Sequence, residues 1–351
     1  MPVLNPPIGE SFGITVVMPT IDWGRVFESC CRAALAALGP QDEMVVVVDG
    51  PAETPPAWLA DCGAVLLATG RRSGPAAARN LAATAACGAI LLFVDADVEV
   101  HADVVTRVRS HFREDPELAA LFGSYDDAPS ASGLVSRFRN LLHHHTHTSK
   151  AGLSSSFWAG CGAVRRDRFL SLGGFDGATY RRPCIEDIDF GLRLHDAGGR
   201  ILLDPAIQGT HHKRWTLALM LQTDVLHRAI PLSRLLLRRR RRQTPPNLDA
   251  VAALSAGFSL LCPLSLAALA WPGVPHAPLL LAAGAFFALF LLLNRPLLAL
   301  LWRRGGAPLL LAGAGLHGLH HLVSALSLLW VLATSAATAQ WAKGEVTPTT
   351  R

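Results

Sequence analysis

Charge is scarce in this 351-residue chain, and over long stretches it is missing altogether. Asp, Glu, Lys and Arg make up 17% of the residues while 50% are hydrophobic; ordinary globular domains carry about a quarter charged residues. Disorder is thereby excluded, because a disordered chain is rich in charge and poor in apolar side chains. The seven cysteines include no CxxC pair, which excludes a thiolate metal site of the usual spacing, and their odd number suits a reducing compartment. Positive charge is also lacking from most of the chain. Residues 1–233 hold 21 basic and 25 acidic residues, whereas Arg234 and Arg238 to Arg242 put six positive charges into nine positions. A nucleic-acid binder spreads basic residues over a folded face, so no nucleic-acid partner is expected. Met1 to Gly13 contains three prolines and no apolar stretch, and reads as an N-terminal tail (1–13) without a secretory leader. The first 233 residues are accordingly expected in the cytoplasm.

The uncharged stretches lie toward the C-terminus. No Asp, Glu, Lys or Arg occurs from Ala250 to Leu293 or from Gly305 to Ala342, and Trp271, Pro272, Gly273, Pro275 and Pro278 break the first stretch in two. About 20 apolar residues in a helix cross a bilayer, so three transmembrane helices are expected at about 250–271, 276–293 and 307–333. A buried helical hairpin of a soluble domain is the alternative, and uncharged runs of this length rarely occur in one. Arginines precede the first span and follow the second at Arg295, Arg303 and Arg304. The excess of positive charge marks that side as cytoplasmic, giving a multi-pass protein of the inner membrane with its N-terminal domain in the cytoplasm. The piece 294–304 is short, with basic ends, and suits the interface. A tail, 343–351, ends the chain on the far side. His317, His320 and His321 have helical spacing and read as a polar stripe between helices.

The N-terminal two thirds alternate between strands and helices. Ile14 to Thr20, Met44 to Asp49, Ala64 to Ala68 and Ala89 to Val94 are expected strands; about 27–38 and 75–87 are expected helices. This order implies an α/β domain over 14–214, with a mostly parallel, mixed sheet and helices on both faces. Ligands of such sheets bind beyond the carboxyl ends of the strands. Polar residues stand there: Pro19-Thr20, Asp49-Gly50 and Asp95-Ala96-Asp97. Two carboxylates at spacing two, on a loop leaving a buried strand, can place oxygen ligands near one divalent cation, and hard cations such as Mn²⁺ or Mg²⁺ take carboxylates together with phosphates.

These motifs resemble the family-two glycosyltransferases, which have the GT-A fold. Val16-Val17-Met18-Pro19-Thr20 is similar to the first-strand signature of that family, and Asp49 to its base-contacting aspartate. Gly74 to Asn80 resembles its glycine-to-arginine-asparagine helix, and Asp95 and Asp97 its metal-holding DxD. Phe157-Trp158-Ala159-Gly160-Cys161-Gly162-Ala163 and Gly173-Gly174-Phe175-Asp176 resemble the acceptor-side strand and turn. Ile185-Glu186-Asp187 with Arg193-Leu194 is similar to the glutamate-aspartate motif, whose aspartate serves as base. The resemblance implies a donor site at Pro19, Thr20, Asp49, Arg79, Asp95 and Arg214. It implies an acceptor side at Trp158, Gly160, Cys161, His211 and Trp215, a metal on Asp95 and Asp97, and catalysis at Asp187 with Glu186.

Inverting transfer needs a carboxylate to take the acceptor hydroxyl's proton. Asp187 is expected in that role, while a cluster capping the following helix is the alternative for Glu186, Asp187 and Asp189. His211-His212-Lys213-Arg214-Trp215 resembles the (Q/R)xxRW motif of membrane transferases, with His211 departing from its first position. Residues 215–249 read as an amphipathic interfacial helix and a basic linker on anionic lipid. His143, His144, His145 and His147 read as a polar helix end, with His147 as a candidate for the acceptor entrance. Cys161 and Cys184 lack the setting of an activated nucleophile. The combined expectation is a metal-dependent inverting transferase that adds one sugar from a nucleotide-sugar donor, a UDP-sugar by expectation, to a lipid or lipid-linked acceptor. The alternatives are a polyprenyl-phosphate sugar transferase and a membrane scaffold that binds nucleotide sugar without catalysis.

Overall fold

The computed structural model describes residues 13–239 and 249–344. The tail before Gly13, Arg240 to Arg242 of the basic block and residues 345–351 lie outside the described residues. The chain divides into two compact units: one holds residues 1–132 and 140–214, the other 133–139 and 215–351.

The first unit is built on strands β1 (Ile14–Thr20), β2 (Glu43–Val48), β3 (Val65–Ala68), β4 (Ile90–Val94), β5 (Val98–Val100), β6 (Leu118–Tyr125), β7 (Gly152–Ser154), β8 (Cys161–Arg165) and β9 (Arg200–His211). Its helices are α1 (Arg25–Ala36), α2 (Ala57–Ala60), α3 (Pro75–Ala85), α4 (Val104–Glu114), the C-terminal part of α5 (Leu134–Thr148), α6 (Arg166–Ser171) and α7 (Glu186–Asp196). The strands form one mixed sheet in the order β3-β2-β1-β4-β8-β6-β9-β5, with β7 paired to β9. The four strands from β3 to β4 are parallel and β8 is antiparallel to both neighbours. The expected α/β sheet is therefore present.

Continuous apolar strands form because both faces of this sheet are covered. Side chains alternate between two cores: Val16, Met18, Val46 and Leu92 enter one, while Val17, Val45, Val47 and Phe93 enter the other. Helix α1 buries Phe27, Cys30, Cys31 and Ala34, the one-face spacing of a helix on a sheet. Helix α3 buries Ala76, Ala78, Ala82 and Ala83, small side chains that leave room for a buried Arg79 among them. The second core is aromatic. Phe93 lies 5.2 Å from both Phe169 and Phe175, and Phe190 lies 5.7 Å from Phe157 and 5.4 Å from Phe175. These rings fasten β4, the segment before β8, the Gly173-Gly174 turn and α7 to one another, and so fix the residues around the ends of those elements.

The second unit contains α8 (Leu217–Gln222), a π-helical turn at Thr223–Ala229, α9 (Ile230–Arg238), α10 (Ala250–Ala267), α11 (His276–Leu293) and α12 (Arg295–Gly344). Segments 250–270, 276–293 and 295–335 are long and apolar enough to cross a membrane. The last is not straight: Gly306 has φ 61°, a left-handed conformation that breaks the helix just before Pro308. A polar seam joins the spans. Asn294 donates to Ser255 at 2.9 Å, and its Oδ1 lies 2.8 Å from His317 Nε2. Asp224, buried on the π-turn, is 2.8 Å from His320 Nδ1 and 2.6 Å from Arg139 Nη2. In the expected histidine stripe His317 and His320 thus make helix-to-helix contacts, through Asn294 and Asp224.

Candidate active site

Strand register brings the polar residues together. Val94 pairs with Cys161, and beyond that pair the Asp95 N–H donates to the Gly160 carbonyl at 3.1 Å. Val98 pairs with His211, and the His212 N–H donates to the Asp97 carbonyl at 2.9 Å. The DxD turn is therefore held between the entry to β8 and the end of β9. Its carboxylates stay partly open, with side chains 32% and 34% exposed at Asp95 and Asp97.

Arg79 reaches this turn from α3. Its Nη2 is 2.5 Å from Asp95 Oδ1 and its Nη1 is 3.2 Å from Glu186 Oε1. Burial alone would lower the guanidinium pKa, but the carboxylates of Asp95, Glu186 and Asp187 outweigh it and raise it. Glu186 is itself buried and accepts the Cys184 N–H with its second oxygen, 2.8 Å away. Its side chain is shut away from solvent. The adjacent Asn80 exchanges two hydrogen bonds with the Phe175 backbone, at 2.8 and 2.9 Å. Neighbouring residues of α3 thus organise the turn on one side and the Gly173-Gly174-Phe175-Asp176 segment on the other.

Asp187 sits in the first turn of α7, where the helix dipole favours a carboxylate. Its Oδ2 accepts the Ala159 N–H at 3.2 Å and its Oδ1 the Ile188 N–H at 2.8 Å. The cap position of α7 is Ile185, whose side chain makes no capping bond. The segment 157–160 therefore meets both elements: the Gly160 carbonyl accepts the backbone N–H of Asp95, and the Ala159 N–H donates to the Asp187 carboxylate. The indole of Trp158 lies where a β-carbon on Gly160 would be, so glycine is required there. Around that indole stand Tyr125 at 4.9 Å, His143 at 4.6 Å and His147 at 5.1 Å. His144 and His147 lie 2.8 Å from the Tyr125 and Gly123 carbonyls through Nδ1, which ties the end of α5 to β6.

The surroundings of three expected residues are specific. Cys161, placed on the acceptor side, is wholly buried within β8; burial and the nearby Asp95 charge push its thiol up to about 12, so it packs the core and reaches no substrate. His211, also placed on the acceptor side, belongs beside the DxD. Its Nε2 is 3.6 Å from Asp97 Oδ1, its ring stacks on Tyr125 at 4.1 Å, and its Nδ1 is 2.6 Å from Asn140 Oδ1. With Nδ1 bonded to Asn140, Nε2 is the ring atom that faces Asp97. Burial raises the Asp97 pKa, but the hydrogen bond and charge of His211 and the charge of Lys213 hold it below the usual carboxylate range. Asp49, expected at a nucleotide base, is engaged with its own loop. It accepts from Ser73 N at 2.7 Å, Gly74 N at 2.9 Å and Thr69 Oγ1 at 3.1 Å, which leaves acceptor capacity on Oδ2.

The other expected residues are spread more widely. Pro19 pairs with Val47 inside the sheet, and Thr20 donates to the Asp22 carbonyl at 2.6 Å. Arg214 is exposed just past β9. Trp215 falls in the second unit, where Ser136 Oγ accepts its N–H at 2.8 Å and the Arg139 guanidinium lies 5.4 Å from its ring. Among the described residues no group of three or more His, Cys, Asp or Glu is placed to hold a metal ion. The Asp95 and Asp97 carboxylates are nevertheless the donor type that suits a hard cation, and a neutral His211 would add Nε2 beside Asp97.

Residues 15–172 match the family model described as Glycosyl transferase family 2. Over those residues the chain is a family-two glycosyltransferase domain. The glycosyltransferase match ends before Glu186, Asp187, His211 and Arg214. A mannosyltransferase from Pyrobaculum calidifontis, solved with GDP-Man and Mn²⁺, is similar to the chain at 20% identity and a TM-score of 0.60, covering 93% of this chain and 90% of that one. At this identity the likeness shows the fold. TarS from S. aureus, residues 1–349, is similar at 15% identity and a TM-score of 0.46, with 89% of this chain and 90% of that chain covered. No curated protein matches the chain.

Proposed function

We propose that the protein is a membrane-anchored, inverting glycosyltransferase that adds a single sugar to a lipid or lipid-linked acceptor at the cytoplasmic face. The observation that carries this reading is Asp187, a carboxylate fixed by the Ala159 N–H on the segment that also meets the DxD turn through Gly160. An inverting displacement requires that pairing of a base with a charge-stabilising turn. Asp187 accepts the proton of the acceptor hydroxyl as its oxygen bonds to the anomeric carbon, and the bond from that carbon to the diphosphate breaks on the opposite face.

A divalent cation, Mn²⁺ or Mg²⁺, would be held by Asp95, Asp97 and His211 and would supply neutralisation of the departing diphosphate's charge. Arg79 holds Asp95 from within, Glu186 holds Arg79, and Trp158 offers a ring for the acceptor sugar. Asp49 turns its remaining acceptor capacity to the donor's base, and Arg214 gives a guanidinium for phosphate. Three helices of membrane-crossing length support the anchor, and the basic residues flanking them support the cytoplasmic orientation. Three spans are few for a polymer channel, which favours one addition.

The test is incorporation of label from UDP-sugars and GDP-mannose into organic-extractable product by the full chain in detergent, with membrane lipid as acceptor. GDP-mannose belongs in the panel because the similar mannosyltransferase carries it. A labelled lipid stable to mild acid, made only with divalent cation, is expected. Acid-labile product would move the acceptor to a polyprenyl phosphate, and absence of any donor turnover would leave a binding scaffold.

A further inference from the structure

Two arginine pairs stand on loops that touch. Arg71 and Arg72 lie on the loop between β3 and α3, and Arg181 and Arg182 on the loop that runs into α7. The contact is made at Gly74: its φ is 91°, and a β-carbon there would strike the Arg181 carbonyl. All four arginine side chains are exposed, and none forms an ion pair among the described residues. Arg72 has a weak bond to the Ile21 carbonyl, at 3.4 Å. Many other arginines of this unit are partnered: Arg32 by Glu28, Arg107 by Asp103, Arg109 by Asp42 and Arg200 by Asp115. Carboxylates close to the loops in sequence are committed elsewhere. Asp49 binds the backbone of 73–74, and Asp176 accepts from Ala178 and Thr179 on its own turn.

Four like charges on two touching loops repel one another, and the energy is recovered when a polyanion enters among them. Guanidinium groups match phosphate oxygens in pairs, which makes phosphate the fitting anion. The deeper part of the site is acidic, with Asp95, Asp97, Glu186 and Asp187, and its one buried guanidinium, Arg79, is already bound by Asp95 and Glu186. A metal-held donor diphosphate belongs with those acids, whereas the arginine loop leads within five residues to Asp187, on the side where an acceptor meets its base.

We propose that Arg181 and Arg182, completed by Arg71 and Arg72, bind the phosphate group of a lipid-linked acceptor. This rests on the transferase reading and narrows its acceptor to a phosphate-bearing lipid. The test uses the full chain in neutral detergent, with nucleoside diphosphate and Mn²⁺ at saturation, and farnesyl phosphate and farnesol as probes. Farnesyl phosphate is expected to bind well above farnesol. The double variant Arg181→Gln, Arg182→Gln should weaken it roughly tenfold or more, since charge-assisted hydrogen bonds to phosphate are lost, and nucleotide affinity should stay within about twofold. Arg181→Lys with Arg182→Lys should restore part of the loss.

Equal binding of the two probes would overturn the proposal. So would farnesyl phosphate that competes with nucleotide while the variant loses both, which would give the arginines to the donor. Loss of binding to phosphatidylglycerol vesicles with unchanged farnesyl phosphate affinity would overturn it in favour of bulk lipid. If the double variant does not fold, Arg182→Gln alone and Arg71→Gln with Arg72→Gln supply the same comparison. Release of sugar from the donor to water, measured without acceptor, tests the transferase reading separately.

Discussion

Arg79 and Glu186 are 107 residues apart in sequence, yet their side chains meet at 3.2 Å, both almost wholly buried. The pair ties α3 to the start of α7 and leaves the other arm of Arg79 for Asp95. Breaking a buried pair by removing one partner strands the other charge, at a cost of about 3–5 kcal/mol. Arg79→Gln and Glu186→Gln should each lower the free energy of unfolding, measured by denaturant titration, by an amount in that range. A variant with both replaced should recover part of the loss. Additive losses would mean that the two charges act independently.

The metal site gives a second prediction. Asp97→Asn removes a charge from an open turn and leaves the core intact, so the unfolding midpoint should stay near wild type. Mn²⁺-dependent nucleotide binding, measured by calorimetry, should fall by at least tenfold. His211→Gln should produce a smaller loss of the same kind, because it takes away one neutral ligand. Full activity in excess chelator would remove the cation from this site.

A third prediction concerns acid. Burial raises the Glu43 pKa, but hydrogen bonds from Thr15 Oγ1 and the Cys87 and Gly88 N–H groups hold it below its ordinary 4.5. A carboxylate depressed in the folded state stabilises the fold fully above its unfolded pKa, and that contribution is lost as pH falls through the folded value. Stability should therefore be level from neutral pH to about 5 and decline below about 4.5. In Glu43→Gln the decline should be shallower, from a lower plateau, when unfolding is followed by far-UV circular dichroism.

Much of the parallel half of the sheet was legible because a strand buried on both faces must be apolar throughout, as Ile90 to Val94 is. The DxD was legible because it follows such a strand. Relationships across the sheet were not. His211 faces Asp97 only because Val98 pairs with His211, and local sequence carries no trace of a pairing between strands so far apart. Cys161 beside Gly160 read as a lining residue, yet strand alternation turns its thiol into the core. The π-turn at 223–229 was equally hidden, since an amphipathic pattern does not tell five-residue from four-residue hydrogen bonding. Helix α5 gave a histidine run that looked like a solvated end. Its rings instead pack on Tyr125 and Trp158, contacts set by β6 and β8.

The final prediction separates catalysis from structure at α7. Asp187→Asn keeps the shape of the side chain but only one acceptor oxygen, so it retains one of the two bonds from the Ala159 and Ile188 N–H groups, and it cannot take a proton at neutral pH. With Ile185 at the cap position of the helix, the substitution removes no capping bond. The unfolding midpoint should move little, nucleotide and Mn²⁺ affinities should stay near wild type, and turnover should fall by roughly the 10²–10⁴-fold typical of a lost general base. Glu186→Gln should show the reverse balance: a large loss of stability through Arg79, with turnover per folded molecule falling less. The two readouts are needed together, because activity alone would not tell a missing base from a loosened site. Near wild-type turnover in Asp187→Asn would exclude Asp187 as the base. A larger per-molecule loss in Glu186→Gln would then place proton transfer at Glu186, which would have to become exposed on substrate binding.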